Sequence, residues 1–89
     1  MNQPYLEITY RRGKPLAAYL YLARREGDRA ANSEPVDDQF VIDRSADGRP
    51  IGVEIVDPAS VSAEALNQLL ISLDQSPLPA ADLAPLKAA

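Results

Sequence analysis

From Tyr5 to Tyr10 the chain alternates, with Leu6, Ile8 and Tyr10 on one side and Glu7 and Thr9 on the other, the period-two pattern of a strand with one buried face. Arg11-Arg12-Gly13-Lys14-Pro15 interrupts it, and its Gly and Pro signal a loop that carries three cations. Ala17 to Ala23 resumes the alternation, Leu20 and Leu22 against Tyr19 and Tyr21, and predicts a second strand, aliphatic on one face and aromatic on the other. Arg24 to Asn32 has no period and gathers charge around Gly27-Asp28, as an exposed connection does. Ser33 to Val36 reads as a short extended piece at the edge of the sheet. Gln39 to Asp43 and Ile51 to Val56 predict strands three and four. Ser45-Ala46-Asp47-Gly48 between them is a hairpin turn, because Asp tolerates the turn geometry and Gly takes a positive φ without steric cost. Pro50 has no N–H to give a ladder and belongs at an edge or a bulge.

After Asp57-Pro58 the period changes from two to that of a helix. Ser62 is the expected N-cap, with Val61 before it and Leu66 at the fourth helical position, the spacing of a hydrophobic staple. Leu66, Leu69, Leu70 and Leu73 fall on one helical face, and Ile71 lies off it. Pro77 and Pro79 end the helix, and Pro79 opens a short second turn carrying Leu83 before Pro85 interrupts again. These elements predict an α+β fold: a four-stranded, mainly antiparallel β-meander with a C-terminal α-helix packed on one face. Residues 1–76 then make a single domain, and residues 77–89 a Pro/Ala-rich extension whose last few residues fray. One sheet face is covered by the leucine stripe, while Tyr5, Tyr19 and Tyr21 stand on the other, where the sequence offers nothing long enough to cover them.

Composition narrows what such a fold can do. The chain has 89 residues, 46% hydrophobic and 25% charged, and alanine supplies fourteen of its apolar positions, so a single modest core is expected. It has no Cys and no His, which removes disulfides, thiolate and imidazole nucleophiles, common zinc sites and the usual general base near neutral pH. Neither a secretory signal nor an apolar run of eighteen residues is visible, and the expected location is cytoplasmic. The net charge of −4 opposes a primary role in coating nucleic acid or anionic lipid.

Three constellations could carry chemistry. Asp43, Ser45, Asp47, Gly48 and Glu54 reproduce the spacing of a twelve-residue calcium loop, but that loop needs a helix on each side and here strand-like segments flank it. A tight hairpin would pair Glu54 with a residue near Gln39, about 13 Å along the ladder from Asp43, too far for one ion. Asp37, Asp38, Asp43 and Glu54 have nothing to pin them into a paired-carboxylate site, and the serines lack a base. Arg11, Arg12, Lys14, Arg24, Arg25 and Arg29, interleaved with Tyr10, Tyr19 and Tyr21, have the makeup of a single-strand nucleic-acid surface, which the net charge opposes.

Ile8-Thr9-Tyr10, Ala18-Tyr19-Leu20-Tyr21-Leu22, Val41-Ile42-Asp43 with Asp47-Gly48-Arg49, and Ile51-Gly52-Val53-Glu54-Ile55, in that order, resemble the successive strands of the domain of unknown function family 2283. The resemblance covers about Tyr5 to Asp57. It implies a small bacterial protein without catalytic residues, and, because some members are encoded beside small toxin-like proteins, an antitoxin-like or partner-binding role. The chain departs from the family pattern at Arg11-Arg12-Gly13-Lys14-Pro15, where an acidic turn is common, and in its Ala-rich C-terminal helix. The sequence therefore points to a non-enzymatic protein–protein interaction module, a homodimer or bound to another protein, with no cofactor, no metal and no membrane. Tyr19 and Tyr21, with Arg11, Arg12 and Arg24 at the rim, are its expected partner-binding residues. The alternatives are a nucleic-acid-binding regulator using the same face and a small acid-based metal binder or enzyme.

Overall fold

The computed structural model describes residues 4–86. Strands β1 (Tyr5–Arg11), β2 (Lys14–Tyr21), β3 (Asn32–Val36), β4 (Phe40–Arg44) and β5 (Pro50–Ile55) precede helices α1 (Ala63–Ser72) and α2 (Ala80–Leu83). Short 3-10 turns stand at Pro58–Ser60 and Ala84–Leu86. All neighbouring strands are antiparallel, in the order β1-β2-β5-β4-β3.

The α+β class with an antiparallel sheet holds, but the sheet has five strands, there are two helices, and the path is not a meander. From β2 the chain crosses to the far edge, and β4 and β5 bring it back to β2. Burial explains the order. Ile51, Val53 and Ile55 of β5 are all buried and take the centre, where both flanking strands shield them. The edge piece expected at Ser33 to Val36 is the strand β3, which pairs along its whole length, from Asn32 opposite Arg44 to Val36 opposite Phe40. Being mostly polar, it has almost nothing to bury and loses little by lying outermost.

β1 and β2 meet in a two-residue turn, Arg12-Gly13, with φ of 53° and 77°. Positive φ at both central positions matches the right-handed twist of the flanking strands. β2 therefore begins at Lys14, earlier than the alternation suggested, because a bulge near Leu16 breaks the period. Only Ala18 to Tyr21 of β2 also pair with β5, so the cationic end of the β1–β2 hairpin overhangs the sheet.

The core lies on one side. Ala18, Leu20, Leu22, Phe40, Val53 and Ile55 meet Val61, Leu66 and Leu70, with Leu6, Ile8, Leu69 and Leu73 packed around them. Ser62 caps α1 as expected, its Oγ accepting from the Ala65 N–H at 3.0 Å, and Val61 and Leu66 are both fully buried. Residues 77–86, read from the sequence as an extension, belong to this same core through Leu78, Leu83 and Leu86. Asn67 fixes them: its Nδ2 donates to the Leu78 carbonyl at 3.1 Å and its Oδ1 accepts from the Leu78 N–H at 2.8 Å. The expectation of fraying falls on residues 87–89, outside the described residues.

α1 ends in a Schellman motif. The Gln75 N–H reaches the Leu70 carbonyl at 2.8 Å and the Asp74 N–H reaches that of Ile71 at 3.1 Å, while Asp74 takes φ of 60°. Asp at this position has a Cβ in a left-handed conformation and a negative charge at the negative end of the helix. Asp74→Gly is therefore expected to stabilise the fold by about 0.5–1 kcal/mol, and Ser62→Ala to destabilise it by about 1 kcal/mol; urea unfolding followed by circular dichroism measures both.

Candidate binding face

The helices cover one face of the sheet, and strand alternation sends a second set of side chains to the other. The register aligns them in rows. One row runs Tyr5, Tyr21, Gly52, Asp43, Ser33, across all five strands, and the next runs Glu7, Tyr19, Glu54, Val41, Pro35. Tyr5 and Tyr21 stack with ring centroids 4.5 Å apart and 17° between planes, and Tyr19 meets the edge of Tyr21 at 4.7 Å. Offset-stacked and edge-to-face geometries are those that aromatic quadrupoles favour.

Tyr19 leans diagonally across its neighbour strand to reach β4. Its hydroxyl donates to Asp43 Oδ2 at 2.7 Å, and Ser33 Oγ donates to the other oxygen, Oδ1, at 2.7 Å. The ring lies directly over Gly52: a Cβ built there would collide with Tyr19 Oη and Cζ. Gly52 is thus a glycine because an aromatic ring occupies the space of its side chain, a pairing that also hides the backbone a strand glycine exposes. Arg24 closes the end of the row. Its Nε donates to the Ile51 carbonyl at 3.0 Å, one terminal nitrogen lies 3.4 Å from Tyr19 Oη, and its guanidinium stands 5.2 Å from the Tyr21 ring centre.

Of the residues expected to bind a partner, Tyr19, Tyr21 and Arg24 therefore form one half-buried cluster, whereas Arg11 and Arg12 do not join it in this chain. They sit exposed at the hairpin tip, about 20 Å from Tyr5 along β1. Tyr5 is the member that reaches solvent, 48% exposed. Asp43, Ser33 and Gly52, which position Tyr19, were not expected from the sequence. Gly52 carried a readable signal, a glycine inside an alternating strand; Asp43 and Ser33 required the register.

The hydroxyl of Tyr19 is pushed well above the usual tyrosine range, first by burial and then by Asp43, to which it donates. Tyr21 shifts the same way through desolvation and the nearby Glu7 carboxylate, whose Oε1 accepts its hydroxyl at 3.3 Å. The folded state therefore prefers neutral phenols.

The acids that mimic a calcium loop are engaged otherwise. Asp43 serves Tyr19 and Ser33, and Asp47 accepts from Ser45 Oγ and from Arg49 Nε. Glu54 pairs with Val41, two residues nearer to Asp43 than the Gln39 position expected of a tight turn, because Gly48, at φ of 90°, and a bulge near Ile51 each add a residue to the β5 side. Arg49 also holds Asp28 in a two-pronged ion pair at 2.7 and 3.0 Å, which ties the Arg24 to Asn32 connection to the β4–β5 turn. Ser45 and Arg49 hold the Asp47 carboxyl far below its ordinary range, and Arg49 lowers that of Asp28. Among the described residues no group of three potential metal ligands converges.

Comparison with known proteins finds no match to a family model, a curated protein or a solved structure. The face is accordingly read from its own chemistry.

Gly52→Ala should drive the Tyr19 ring off the sheet, costing about 1–3 kcal/mol, and its titration should then fall toward that of an ordinary phenol in absorbance near 295 nm. The parent chain should hold its full stability below the ordinary tyrosine pKa of about 10 and lose it as pH rises beyond. Tyr19→Phe should flatten that alkaline loss of Tm; an unchanged slope would remove the coupling between Tyr19 ionisation and folding.

Proposed function

We propose that this chain is a non-enzymatic protein-binding module that engages a cationic partner through its open, tyrosine-lined sheet face. The observation that carries the reading is the composition of that face: Tyr5 stacked on Tyr21, with Tyr19 edge-on to Tyr21 and standing between Glu7 and Glu54 in the adjoining row. Aromatic faces beside carboxylates suit arginine and lysine side chains, which stack on the rings while pairing with the acids. Arg24 already stands over the Tyr21 ring and donates to Tyr19 Oη on the inside of the cluster. The net charge of −4 steers a basic partner by the same sign.

The geometry favours a protein over a nucleic acid here. The glutamates would repel phosphates at the tyrosines, where Arg24 is already engaged by the Ile51 carbonyl and Tyr19 Oη, and Arg11, Arg12 and Lys14 are at the overhanging hairpin end. If the strand segments do mark a relative of family 2283, an antitoxin-like module holding a small basic toxin in the cytoplasm is the most concrete form of this reading. No described helix is long and apolar enough to cross a membrane.

The combined variant Tyr21→Ser, Glu54→Lys leaves the helix-covered core untouched. Affinity purification of the tagged parent chain from its host, with nuclease treatment, should retain a stoichiometric basic protein. The variant should weaken that binding at least about tenfold, the effect of losing an aromatic anchor and a charge pair, while its circular dichroism stays that of the parent. Retention abolished by nuclease would replace this reading with the nucleic-acid one.

A further inference from the structure

The two edges of the sheet differ. β3, at one edge, is five residues long, contains Pro35 and Glu34, and presents few useful donors to another strand. β1, at the other, is seven residues long with no proline and no glycine. Among the described residues its backbone bonds only to β2, so its outer N–H and C=O groups are open. Leu6 and Ile8 on it are half-buried at the margin of the core. A strand so composed is a template for another strand.

We propose that the occupant is a second copy of this chain, pairing β1 with β1 antiparallel about a two-fold axis at Ile8. The strand is self-complementary in that register. On the helix side Leu6 faces the partner's Tyr10 and Ile8 faces the partner's Ile8, an apolar seam that covers Tyr10, 50% exposed in the single chain. On the open side Glu7 faces the partner's Thr9 and Tyr5 faces the partner's Arg11, with no like charges opposed. Shifting the axis by one residue to Thr9 would leave Leu6 without an apolar partner. The two-fold places both helix layers on one side and both tyrosine clusters on the other, in a continuous ten-stranded sheet. It also brings Arg11, which makes no ion pair among the described residues, beside the most exposed tyrosine of the partner's cluster. The inference needs only the edge of β1, not the partner-binding reading above.

Sedimentation equilibrium of three chains, the parent, Thr9→Glu and the double variant Glu7→Lys, Thr9→Glu, tests it. Thr9 is exposed and pairs with Ala17 in its own chain, so the substitution spares the core. In the dimer the introduced carboxylate faces the partner's Glu7, twice by symmetry, and the dissociation constant should rise at least about tenfold. The double variant turns both contacts into lysine–glutamate pairs and should return it to within about threefold of the parent. A parent chain that stays monomeric at about 100 µM overturns the proposal. So does a Thr9→Glu chain that dimerises like the parent, as a dimer through the tyrosine face would, or a double variant no tighter than Thr9→Glu. The Tyr21→Ser, Glu54→Lys variant should remain dimeric even where partner binding is lost.

Discussion

A chain this short has enough helix to cover one face of a five-stranded sheet and not two, and most of the molecule's organisation answers to that limit. The leucines of α1 and the pieces around Leu78, Leu83 and Leu86 all converge on the same side, where Leu20, Val53 and Ile55 are removed from water entirely. Small domains are marginal because their surface is large for their volume. Drawing residues 77–86 into the core through the Asn67 clamp enlarges the buried side without lengthening the chain. The price is a sheet face that must live with water, and the open face meets that condition with amphipathic residues. Tyrosines bring area and rigidity while their hydroxyls reach Asp43 and Glu7, and Gly52 lets one ring lie flat enough to shield the backbone beneath it.

How much of this was legible in the sequence follows from which interactions are local. The alternations at Leu6 and Ile8, Leu20 and Leu22, and Ile51, Val53 and Ile55 report burial at a period of two, and they identified β1, β2 and β5 and their inward faces. The capping of α1 by Ser62, the staple of Val61 with Leu66 and the turn at Asp47-Gly48 are each settled within a few residues, so they too could be read. β3 could be read only as an edge piece because an outermost polar strand buries almost nothing and leaves no period behind. Strand order was illegible for a related reason: alternation says that a strand is half-buried but not beside which strand. Without the order, Asp43 and Ser33 could not be connected with Tyr19, and the separation of Arg11 and Arg12 from Arg24 could not be foreseen. In sequence the cations bracket the tyrosines; in the hairpin they lie at opposite ends of it.

The same hairpin geometry links the face to the edge. β1 supplies both the outermost tyrosine of the cluster, Tyr5, and the unprotected backbone rim, whereas the opposite edge is blunted by Pro35 and by the Arg44–Glu34 ion pair. A sheet with two open edges would extend into fibres, and one with two blunted edges would stay single; one open edge allows a closed pair and nothing larger. In the proposed pairing a second β1 would give Leu6 and Ile8 an outer neighbour, cover Tyr10 and set Arg11 beside a ring, all in one register. The asymmetry of the edges is thus the counterpart of the asymmetry of the faces: one face is closed by the chain's own helices, and one edge is left open, the edge at which we propose that a second copy pairs.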